Sequence, residues 1–271
     1  MWMKVGILTS VDTRHRYFVR ALRERVDMVA VGYERIAYSQ ADTVEFDLTP
    51  EEEGIVARHF AERTRQEQVF FGTNAEFVEP SEGCAVLHIE PGRLNTADTL
   101  HFLESAGVET VVVYGTNLIR KPLIGRWPGR MINMHLGLSP YYRGTATNFY
   151  PLLNEEPEYV GATIHLIDPG IDTGPIVRHR RPEIVARDEP HTIGCKAILA
   201  GIEGMIASLK KLERGTLKTV PQWKVPDAKL YLRKDYHPRQ VVELYRKLEE
   251  GLISRYVQRA QAATARLRLV D

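Results

Sequence analysis

This 271-residue chain has few cysteines and almost no excess of either charge. Its two cysteines, Cys84 and Cys195, stand far apart, which excludes a disulfide framework and a cysteine-rich zinc site and is typical of a reducing compartment. The 36 Lys and Arg residues almost balance the 35 Asp and Glu residues, so the formal net charge is +1. A nearly neutral chain gives no electrostatic reason to expect nucleic acid or an anionic membrane as a partner.

Long apolar runs are also missing. No uncharged stretch approaches the roughly 20 apolar residues of a membrane-spanning helix. Residues 1–5 lack the basic and apolar segments of a signal peptide. With 44% apolar and 26% charged residues, the chain has the composition of a globular protein that buries a sizeable core. We therefore expect a soluble, cytoplasmic protein with no membrane partner.

Apolar runs alternate with helical patterns in the first half of the chain. The patterns predict strands over residues 5–8, 28–32, 85–89 and 110–114, and helices over 13–25, 50–66 and 97–106. Asp12 stands where a side chain can cap the first of these helices. Because fully apolar strands separated by helices are typical of a parallel sheet covered on both faces, we predict an α/β fold with a doubly wound, mostly parallel sheet.

The second half of the chain is less regular. Its patterns predict strands over residues 130–135, 159–167 and 174–182, a helix over 190–214 and a last helix from 238 past 260. Two turns rich in glycine and proline interrupt it, over residues 137–144 and 168–174.

Polar side chains cluster at these two turns. Asn133 and His135 lie two positions apart on one predicted strand, so their side chains face the same way at its carboxyl end, where ligands of open α/β sheets bind. The glycine-flanked Asp172 can return a carboxylate to the same edge. An amide and a protonated imidazole can stabilise an oxyanion while a carboxylate handles a proton, which suits acyl transfer. From spacing alone, a purely structural role for His135 and Asp172 stays equally open.

Five short motifs follow one another in this region. They are Asn133-Met134-His135, Leu138-Ser139-Pro140, Arg143-Gly144, Gly161-Ala162-Thr163 and Asp172-Thr173-Gly174. In this order, with Asp172 37 positions after His135, they resemble the folate-dependent formyltransferase family. That family includes glycinamide ribonucleotide, methionyl-tRNA and sugar-nucleotide N-formyltransferases. The resemblance covers roughly residues 110–182.

The resemblance implies a Rossmann-like formyltransferase core over residues 1–214, followed by a C-terminal extension or small subdomain over residues 215–271. It implies 10-formyltetrahydrofolate as formyl donor, and Asn133, His135 and Asp172 as catalytic residues. It also implies that backbone groups of two loops bind the pterin. The cofactor-binding residues expected on this ground are Tyr114, Gly115, Thr116, Asn117, Leu118, Ile119, Leu138, Asp168, Pro169, Gly170 and Ile171.

The sequence departs from the family's pattern in three places. Gly137 stands where many relatives have serine, so a serine hydroxyl contact is lost at that position. The segment before Asn133 is longer than in the purine-pathway enzymes, with the 50–66 helix as the insertion, and no glycine-rich phosphate loop follows the first strand. The part after Gly215 is short for the C-terminal barrel of the tRNA enzymes. These departures favour a small amine acceptor, an amino-sugar nucleotide or a hydroxyornithine-type amino acid, and no nucleic acid.

Several residues are candidates for binding that acceptor. A helix that begins after the first strand offers backbone amides to an anion, and the other candidates follow the catalytic strand. The set is Ser10, Arg14, His15, Tyr142, Arg143 and Asn148. Four of them have another role open to them: Arg14 as a solvated charge, Tyr142 as a loop-packing ring, and Arg143 and Asn148 as loop braces.

Other interpretations of the sequence remain. Water in place of the amine would make the protein a 10-formyltetrahydrofolate hydrolase. A non-catalytic nucleotide-binding α/β protein is a third possibility, although no Gly-x-Gly-x-x-Gly follows the first strand. We expect His165 to be a packed core histidine, no catalytic metal because no histidines have metal-ligand spacing, and a homodimer as one option for the C-terminal part.

Overall fold

Seven strands form one sheet in the computed structural model, which describes residues 3–35, 47–73 and 83–271. Met1 and Trp2 of the N-terminal segment considered above lie outside the described residues. The strands of the sheet are β1 Lys4–Ser10, β2 Asp27–Glu34, β3 Ala85–Ile89, β4 Thr110–Tyr114, β5 Met131–Leu136, β7 Ala162–Leu166 and β8 Ile176–Arg180. Between β5 and β7 lies β6 Tyr142–Gly144, which pairs with β9 Lys229–Tyr231 in a small second sheet.

The sheet is parallel except at one edge. Its order is β3-β2-β1-β4-β5-β7-β8, with parallel pairing from β3 to β5 and antiparallel pairing for the last two strands. The helices are α1 Thr13–Arg23, α2 Pro50–Phe71, α3 Ala97–Ser105, α4 Leu123–Arg126, α5 Tyr150–Leu153, α6 Pro190–Glu213, α7 Pro238–Glu249 and α8 Leu252–Thr264. The predicted α/β class with a mostly parallel sheet is confirmed.

Helices cover the sheet on both faces because its strands are apolar on both sides. Ile7 of β1 packs with α1, α2 and α6 on one face, while the next residue, Leu8, packs with α3 and α4 on the other. This alternation is what a doubly wound sheet requires. The carboxyl ends of β1, β4 and β5 therefore meet at one uncovered edge.

The helix α6 is long and apolar enough, by length and mean hydropathy, to cross a membrane, the one such helix among the described residues. It packs against β5, β7 and β8, and more than half of its apolar window is buried in the fold. Burial of this kind is typical of the core helix of a globular protein.

The segment after Gly215 shares a core with the rest of the chain. Leu244 of α7 and Tyr256 of α8 are buried with Tyr142, Leu153 and Val160 in one apolar cluster. Backbone hydrogen bonds also tie the segment to the edge strand β8, where the N–H groups of Ile176 and Val220 each donate to the other's carbonyl at 2.8 Å. This segment therefore holds the β6 loop in place.

Three local expectations differ from the structure. The predicted last helix is wrong as a single element, because Gly251 with φ +85° divides it into α7 and α8. The helix α2 continues to Phe71 rather than ending at residue 66. Asp12 stands at the N-cap of α1, but its carboxylate accepts from the Arg14 side chain instead of a helix N–H, so the predicted cap bond is wrong.

A buried histidine pair makes the stability of the fold depend on pH. His59 of α2 and His191 of α6 lie with ring centroids 4.4 Å apart, and His59 also packs against the rings of Phe149 and Tyr245. Burial and the neighbouring His191 lower the pKa of His59 to about 3. The unfolded chain takes up a proton near pH 6.5, so stability is lost as the pH falls from 6.5 towards 3.

Replacing His59 by phenylalanine is expected to remove the part of the stability loss at low pH that His59 causes. Between pH 7 and pH 5 the free energy of unfolding of His59→Phe should fall by about 2 kcal/mol less than that of the wild type. The reason is that the His59 imidazole stays neutral in the folded wild type but takes up a proton in the unfolded chain. Urea unfolding at the two pH values measures the difference. Equal pH dependence in the two proteins would contradict a neutral, buried His59.

Candidate active site

The strand β5 presents Asn133 and His135 at the carboxyl edge of the sheet. The register of β5 against the antiparallel β7 places Asn133 opposite His165 and His135 opposite Thr163. His135 is buried, with 6% of its side chain exposed. The period of two along the strand therefore brings both side chains to one face, as the sequence predicts.

A tightly held turn carries Asp172 back to this edge. Its own φ is +50°. Asp168 shapes the turn, because its carboxylate accepts from the N–H of Gly170 at 3.1 Å and from the hydroxyl of Thr173 at 2.7 Å. Gln222, from the C-terminal segment, donates its amide to the Asp172 carbonyl at 2.7 Å. The carboxylate of Asp172 is thus fixed by contacts on both sides of the turn.

The three predicted catalytic residues converge on one point. The Asp172 carboxylate lies 3.3 Å from His135 Nδ1 and accepts a hydrogen bond of 3.3 Å from Asn133 Nδ2. The backbone N–H of Gly144, the last residue of β6, donates to the same carboxylate at 3.0 Å. The structure therefore brings together residues from β5, from the 168–174 turn and from β6.

His165 belongs to this cluster, which the sequence analysis missed when it treated the residue as core packing. Its side chain is buried, as expected. However, its Nε2 lies 3.1 Å from Asn133 Nδ2 and 3.5 Å from the Asp172 carboxylate. Its Nδ1 faces the Leu166 carbonyl at 2.8 Å. The signal that would have found it is the antiparallel register that sets His165 opposite Asn133.

Burial and hydrogen bonding oppose each other at His135. Burial lowers the pKa of His135, while the Asp172 carboxylate opposes that shift. Its two ring nitrogens both face acceptors, Asp172 on Nδ1 and the Tyr142 carbonyl at 3.1 Å on Nε2. Burial outweighs the opposing carboxylate, so the pKa of His135 lies below its usual value and the neutral imidazole is favoured. The Asp172 carboxylate lies 3.3 Å from Nδ1, close enough for a proton to pass between the two groups.

Asp172 stays ionised in this environment. Burial alone would raise its pKa, but His135, His165 and the Gly144 N–H outweigh burial and hold the pKa of Asp172 below its usual range. The site therefore offers an anionic proton acceptor next to an amide and two imidazoles. Amide and imidazole donors can stabilise negative charge on an oxygen, and a carboxylate can receive a proton.

Position 137 has no side chain, so the hydroxyl beside His135 comes from another residue, Thr147. Gly137 has φ +147°, and a Cβ there would lie 2.7 Å from both His135 Nε2 and Thr147 Cβ. The Thr147 hydroxyl donates to the Leu136 carbonyl and lies 3.5 Å from His135 Nε2. A side chain at position 137 is therefore excluded, and Thr147 supplies the hydroxyl beside the imidazole.

The first predicted cofactor loop begins at the end of β4. The ring of Tyr114 is buried against His15 at 4.8 Å between centroids, and its hydroxyl has no hydrogen-bond partner among the described residues. Gly115 has φ +66°, and a Cβ there would lie 2.2 Å from His15 Nε2. The Thr116 hydroxyl donates to the Asn117 carbonyl at 2.8 Å. This part of the loop presents backbone more than side chains.

Asn117 anchors the rest of that loop. The fully buried Glu34, at the end of β2, accepts from the backbone N–H of Asn117 at 2.8 Å and from its side-chain amide at 2.7 Å. Arg233 of the C-terminal segment donates to Asn117 Oδ1 at 2.8 Å. Leu118 is 41% exposed, whereas Ile119 is buried in the core. Leu118 is thus the apolar side chain that this loop leaves open to a ligand.

The second predicted cofactor loop is the turn that carries Asp172. Pro169 is exposed and Ile171 is partly exposed, and Gly170 lies so close to Thr173 that a Cβ there would meet its hydroxyl at 1.9 Å. The side chain of Leu138, by contrast, is fully buried, and its carbonyl accepts from the Tyr142 N–H at 2.9 Å. The turn is open to a flat ligand, and Leu138 contributes through the backbone fold of its loop.

The acceptor candidates near α1 stand apart from the cluster. They lie at the end of β1 or just after it, and β1 lies two strands from β5, a separation of about 10 Å. Arg14 is held between Asp12 at 3.1 Å and Glu67 at 2.5 Å. His15 is buried, and burial lowers its pKa well below the usual value. Ser10 is buried at the end of β1. The charge of Arg14 is therefore already compensated inside the protein.

The candidates that follow β5 take three different positions. Tyr142 is 1% exposed, and its hydroxyl donates to Glu156 and accepts from Asn154, so the prediction that its side chain binds the acceptor is wrong. Its ring packs inside the protein, and only its carbonyl reaches His135. Asn148 is a loop brace, because its Oδ1 accepts from the Gly161 N–H at 3.0 Å. Arg143 alone lines an open cavity.

The described residues contain no group of three or more His, Cys, Asp and Glu side chains arranged to hold a metal ion. The chemistry derived below uses amide, imidazole and carboxylate groups.

The chain has relatives of known name over part of its length. Residues 23–209 match the sequence profile of the formyl transferase family. The methionyl-tRNA formyltransferase of Thermodesulfovibrio yellowstonii is 30% identical over 141 residues, which cover 51% of this chain and 45% of that protein. The chain therefore spans less than half the length of this curated relative.

Solved formyltransferase structures share the fold. A sugar N-formyltransferase from Shewanella sp. superposes with a TM-score of 0.57 at 16% identity, over 91% of this chain and 88% of that one. A formyltransferase from Anoxybacillus kamchatkensis, in complex with UDP-4,6-dideoxy-4-formamido-L-AltNAc and tetrahydrofolate, superposes with a TM-score of 0.51 at 15% identity, over 88% and 97%. Together with the profile match, these findings confirm the resemblance drawn from the five motifs: the chain belongs to the formyl transferase family.

Proposed function

We propose that the protein transfers the formyl group of 10-formyltetrahydrofolate to the amine of a small acceptor. The observation that carries this proposal is the Asp172 carboxylate held within 3.3 Å of both Asn133 Nδ2 and His135 Nδ1 at the carboxyl edge of the sheet. Family membership and the tetrahydrofolate bound to the Anoxybacillus enzyme support the choice of donor.

The residues around the site fit a reduced folate. The two loops beside β5 present backbone groups and the exposed Leu118. Such surfaces suit a flat heterocycle that needs apolar contact and a few fixed hydrogen bonds. Glu34 holds the first loop through Asn117, and Asp168 shapes the second. When bound, 10-formyltetrahydrofolate supplies an activated formyl carbon.

Each residue of the site has its own role in the proposed acyl transfer. Asn133 Nδ2 and a ring N–H of His135 donate to the formyl oxygen as negative charge develops there, which requires each to give up a present acceptor. Asp172 receives the proton that the acceptor nitrogen loses as its new bond to carbon forms. Asp172 passes this proton to His135, whose Nδ1 lies 3.3 Å away. The His135 imidazole gives a proton to the folate nitrogen as the bond between that nitrogen and the formyl carbon breaks, so the donor leaves as tetrahydrofolate. His165 and the Gly144 N–H keep Asp172 in position throughout.

The acceptor is a small amine in this proposal, an amino-sugar nucleotide or a hydroxyornithine-type amino acid. The sugar N-formyltransferase among the solved structures supports the first class. The formal net charge of +1 supports a small acceptor over transfer RNA, whose binding depends on Lys and Arg contacts to many phosphates.

A screen of amine acceptors with 10-formyltetrahydrofolate tests the proposal. We expect tetrahydrofolate to appear only when the protein and a suitable amine are both present, and its absorbance measures this. Mass spectrometry should show that the amine has gained one formyl group. Formate release without any amine would instead indicate a hydrolase. Absence of both tetrahydrofolate formation and folate binding would contradict the proposal.

A further inference from the structure

One side chain of the C-terminal segment bonds the backbone of the turn that carries Asp172. This is Gln222, which lies after Gly215 and beyond the residues that match the family profile. Its side-chain amide donates to the Asp172 carbonyl at 2.7 Å and to the Gly174 carbonyl at 2.9 Å. Because an amide nitrogen carries two N–H groups, one side chain can serve both carbonyls. Gln222 therefore bridges the two carbonyls that flank Thr173.

The backbone on both sides of Gln222 is itself held in place. Val220, two residues earlier, pairs with Ile176 of β8 through two backbone hydrogen bonds of 2.8 Å. Trp223, the next residue, packs edge to face on His179 with ring centroids 6.1 Å apart. A side chain that starts from an ordered backbone loses less conformational entropy when it forms a fixed contact. The amide of Gln222 is thus preorganised for the bridge.

The turn needs this support because its backbone is strained at Asp172. The φ of +50° at this residue lies in the left-handed region, which a residue with a side chain keeps only where its surroundings hold it. Asp168 holds the hydroxyl of Thr173 from within the turn at 2.7 Å. Gln222 holds the carbonyl of Asp172 itself. The direction of that carbonyl fixes how the side chain leaves the backbone, and hence where the carboxylate lies.

We propose that Gln222 is a positioning residue for the reaction, which it serves by holding the Asp172 carboxylate beside His135. It acts through Asp172 and not on the reacting atoms. Without the bridge, the peptide group after Asp172 can rotate towards an unstrained conformation, which carries the carboxylate away from His135 Nδ1 and from the Gly144 N–H. Each lost hydrogen bond shifts such an equilibrium about 2–12-fold, so the loss of both shifts it about 5–150-fold. This inference rests on the proposed function.

Kinetics of single and double variants test the positioning role. Gln222→Met keeps the length of the side chain but removes both donors. Its matched control is Gln240→Met, because Gln240 also bonds backbone groups of the C-terminal segment, the His237 N–H and the Asp235 carbonyl, outside the catalytic cluster. We expect kcat for tetrahydrofolate formation to fall about tenfold or more in Gln222→Met, and kcat to be unchanged in Gln240→Met. KM for the folate and for the amine should change less than about threefold, because binding uses other groups.

The double variant shows whether Gln222 acts through the carboxylate. Added to Asp172→Asn, Gln222→Met should slow turnover by less than about twofold, because the proton acceptor that it positions is already missing. A residue that supports the fold in general would instead lower turnover by the same factor in both backgrounds.

Amide hydrogen exchange reports on the turn without any reaction. The Gly144 N–H donates to the Asp172 carboxylate at 3.0 Å, so its exchange, followed by NMR, shows whether the carboxylate stays in place. We expect exchange at Gly144 about fivefold faster or more in Gln222→Met, and unchanged in Gln240→Met. Gln222→Glu should behave like Gln222→Met, because an ionised carboxylate has no N–H to donate, and it provides a second test if the methionine variant folds poorly.

The outcomes separate this inference from the proposed function. If the wild type formylates no amine while exchange at Gly144 rises as expected, the proposed function fails and the hold of Gln222 on the Asp172 turn stands. Unchanged exchange at Gly144, a wild-type kcat in a folded Gln222 variant, or an equal further loss in the double variant would overturn the positioning role.

Discussion

Asp172→Asn is expected to lower the turnover of formyl transfer by about 10²–10⁴-fold, the usual contribution of a positioned proton acceptor. The amide keeps the shape of the side chain but cannot receive the proton. It also places an NH2 donor where one carboxylate oxygen now accepts, facing donors from Asn133 or from His135 and the Gly144 backbone. The measurement is the rate of tetrahydrofolate formation with the best acceptor from the screen.

The matched control for this variant is Asp27→Asn, an exposed aspartate at the opposite end of the sheet. It should leave turnover unchanged. Folinic acid should bind both variants with nearly wild-type affinity, because the Asp172 side chain contacts Asn133, His135 and Gly144 and the folate is proposed to bind through other groups of the loop. A wild-type rate in Asp172→Asn would remove the carboxylate from the mechanism.

Gly144→Ala is expected to have the largest effect on stability. Gly144 has φ +92°, and a Cβ there would lie 1.9 Å from the Tyr231 carbonyl oxygen. Either β9 moves away or the Gly144 N–H leaves Asp172, so the cost combines backbone strain with a steric clash, on the order of 3 kcal/mol or more. Urea unfolding measures the loss, and turnover should fall with it.

Gly129→Ala separates the clash from the effect of backbone conformation. Gly129 has a similar positive φ of +69°, but nothing lies within 4 Å of a Cβ there. Only the left-handed conformation is penalised, by about 1–2 kcal/mol. If the two variants lose the same stability, the close approach of β9 to Gly144 does not constrain the site.

The sheet and the proposed catalytic pair were predictable because their signals are local. Buried parallel strands are apolar along their whole length, as in residues 110–114, and Asn133 and His135 face the same way because side chains alternate along a strand. The turn around Asp172 contains its own glycines, and the order of the motifs gave the family. None of these signals depends on which distant segments pair.

The remaining features of the site come from contacts that one stretch of sequence does not encode. His165 joins the cluster only through the antiparallel register of β7 against β5. Tyr142 turns inward because the C-terminal helices build a second core around it. Arg14 was expected to be free for an acceptor, yet Glu67, which compensates it, comes from the following helix α2. Each of these outcomes required knowledge of tertiary packing.

The most direct test of the account compares wild type with the double variant Asn133→Ala/His135→Ala in tetrahydrofolate formation from 10-formyltetrahydrofolate and an amine. Removing a single oxyanion donor costs about 10²–10³-fold, so the double variant should turn over at least about 10³-fold more slowly while still binding folinic acid. Equal rates in two folded proteins would show that formyl transfer does not take place at this site.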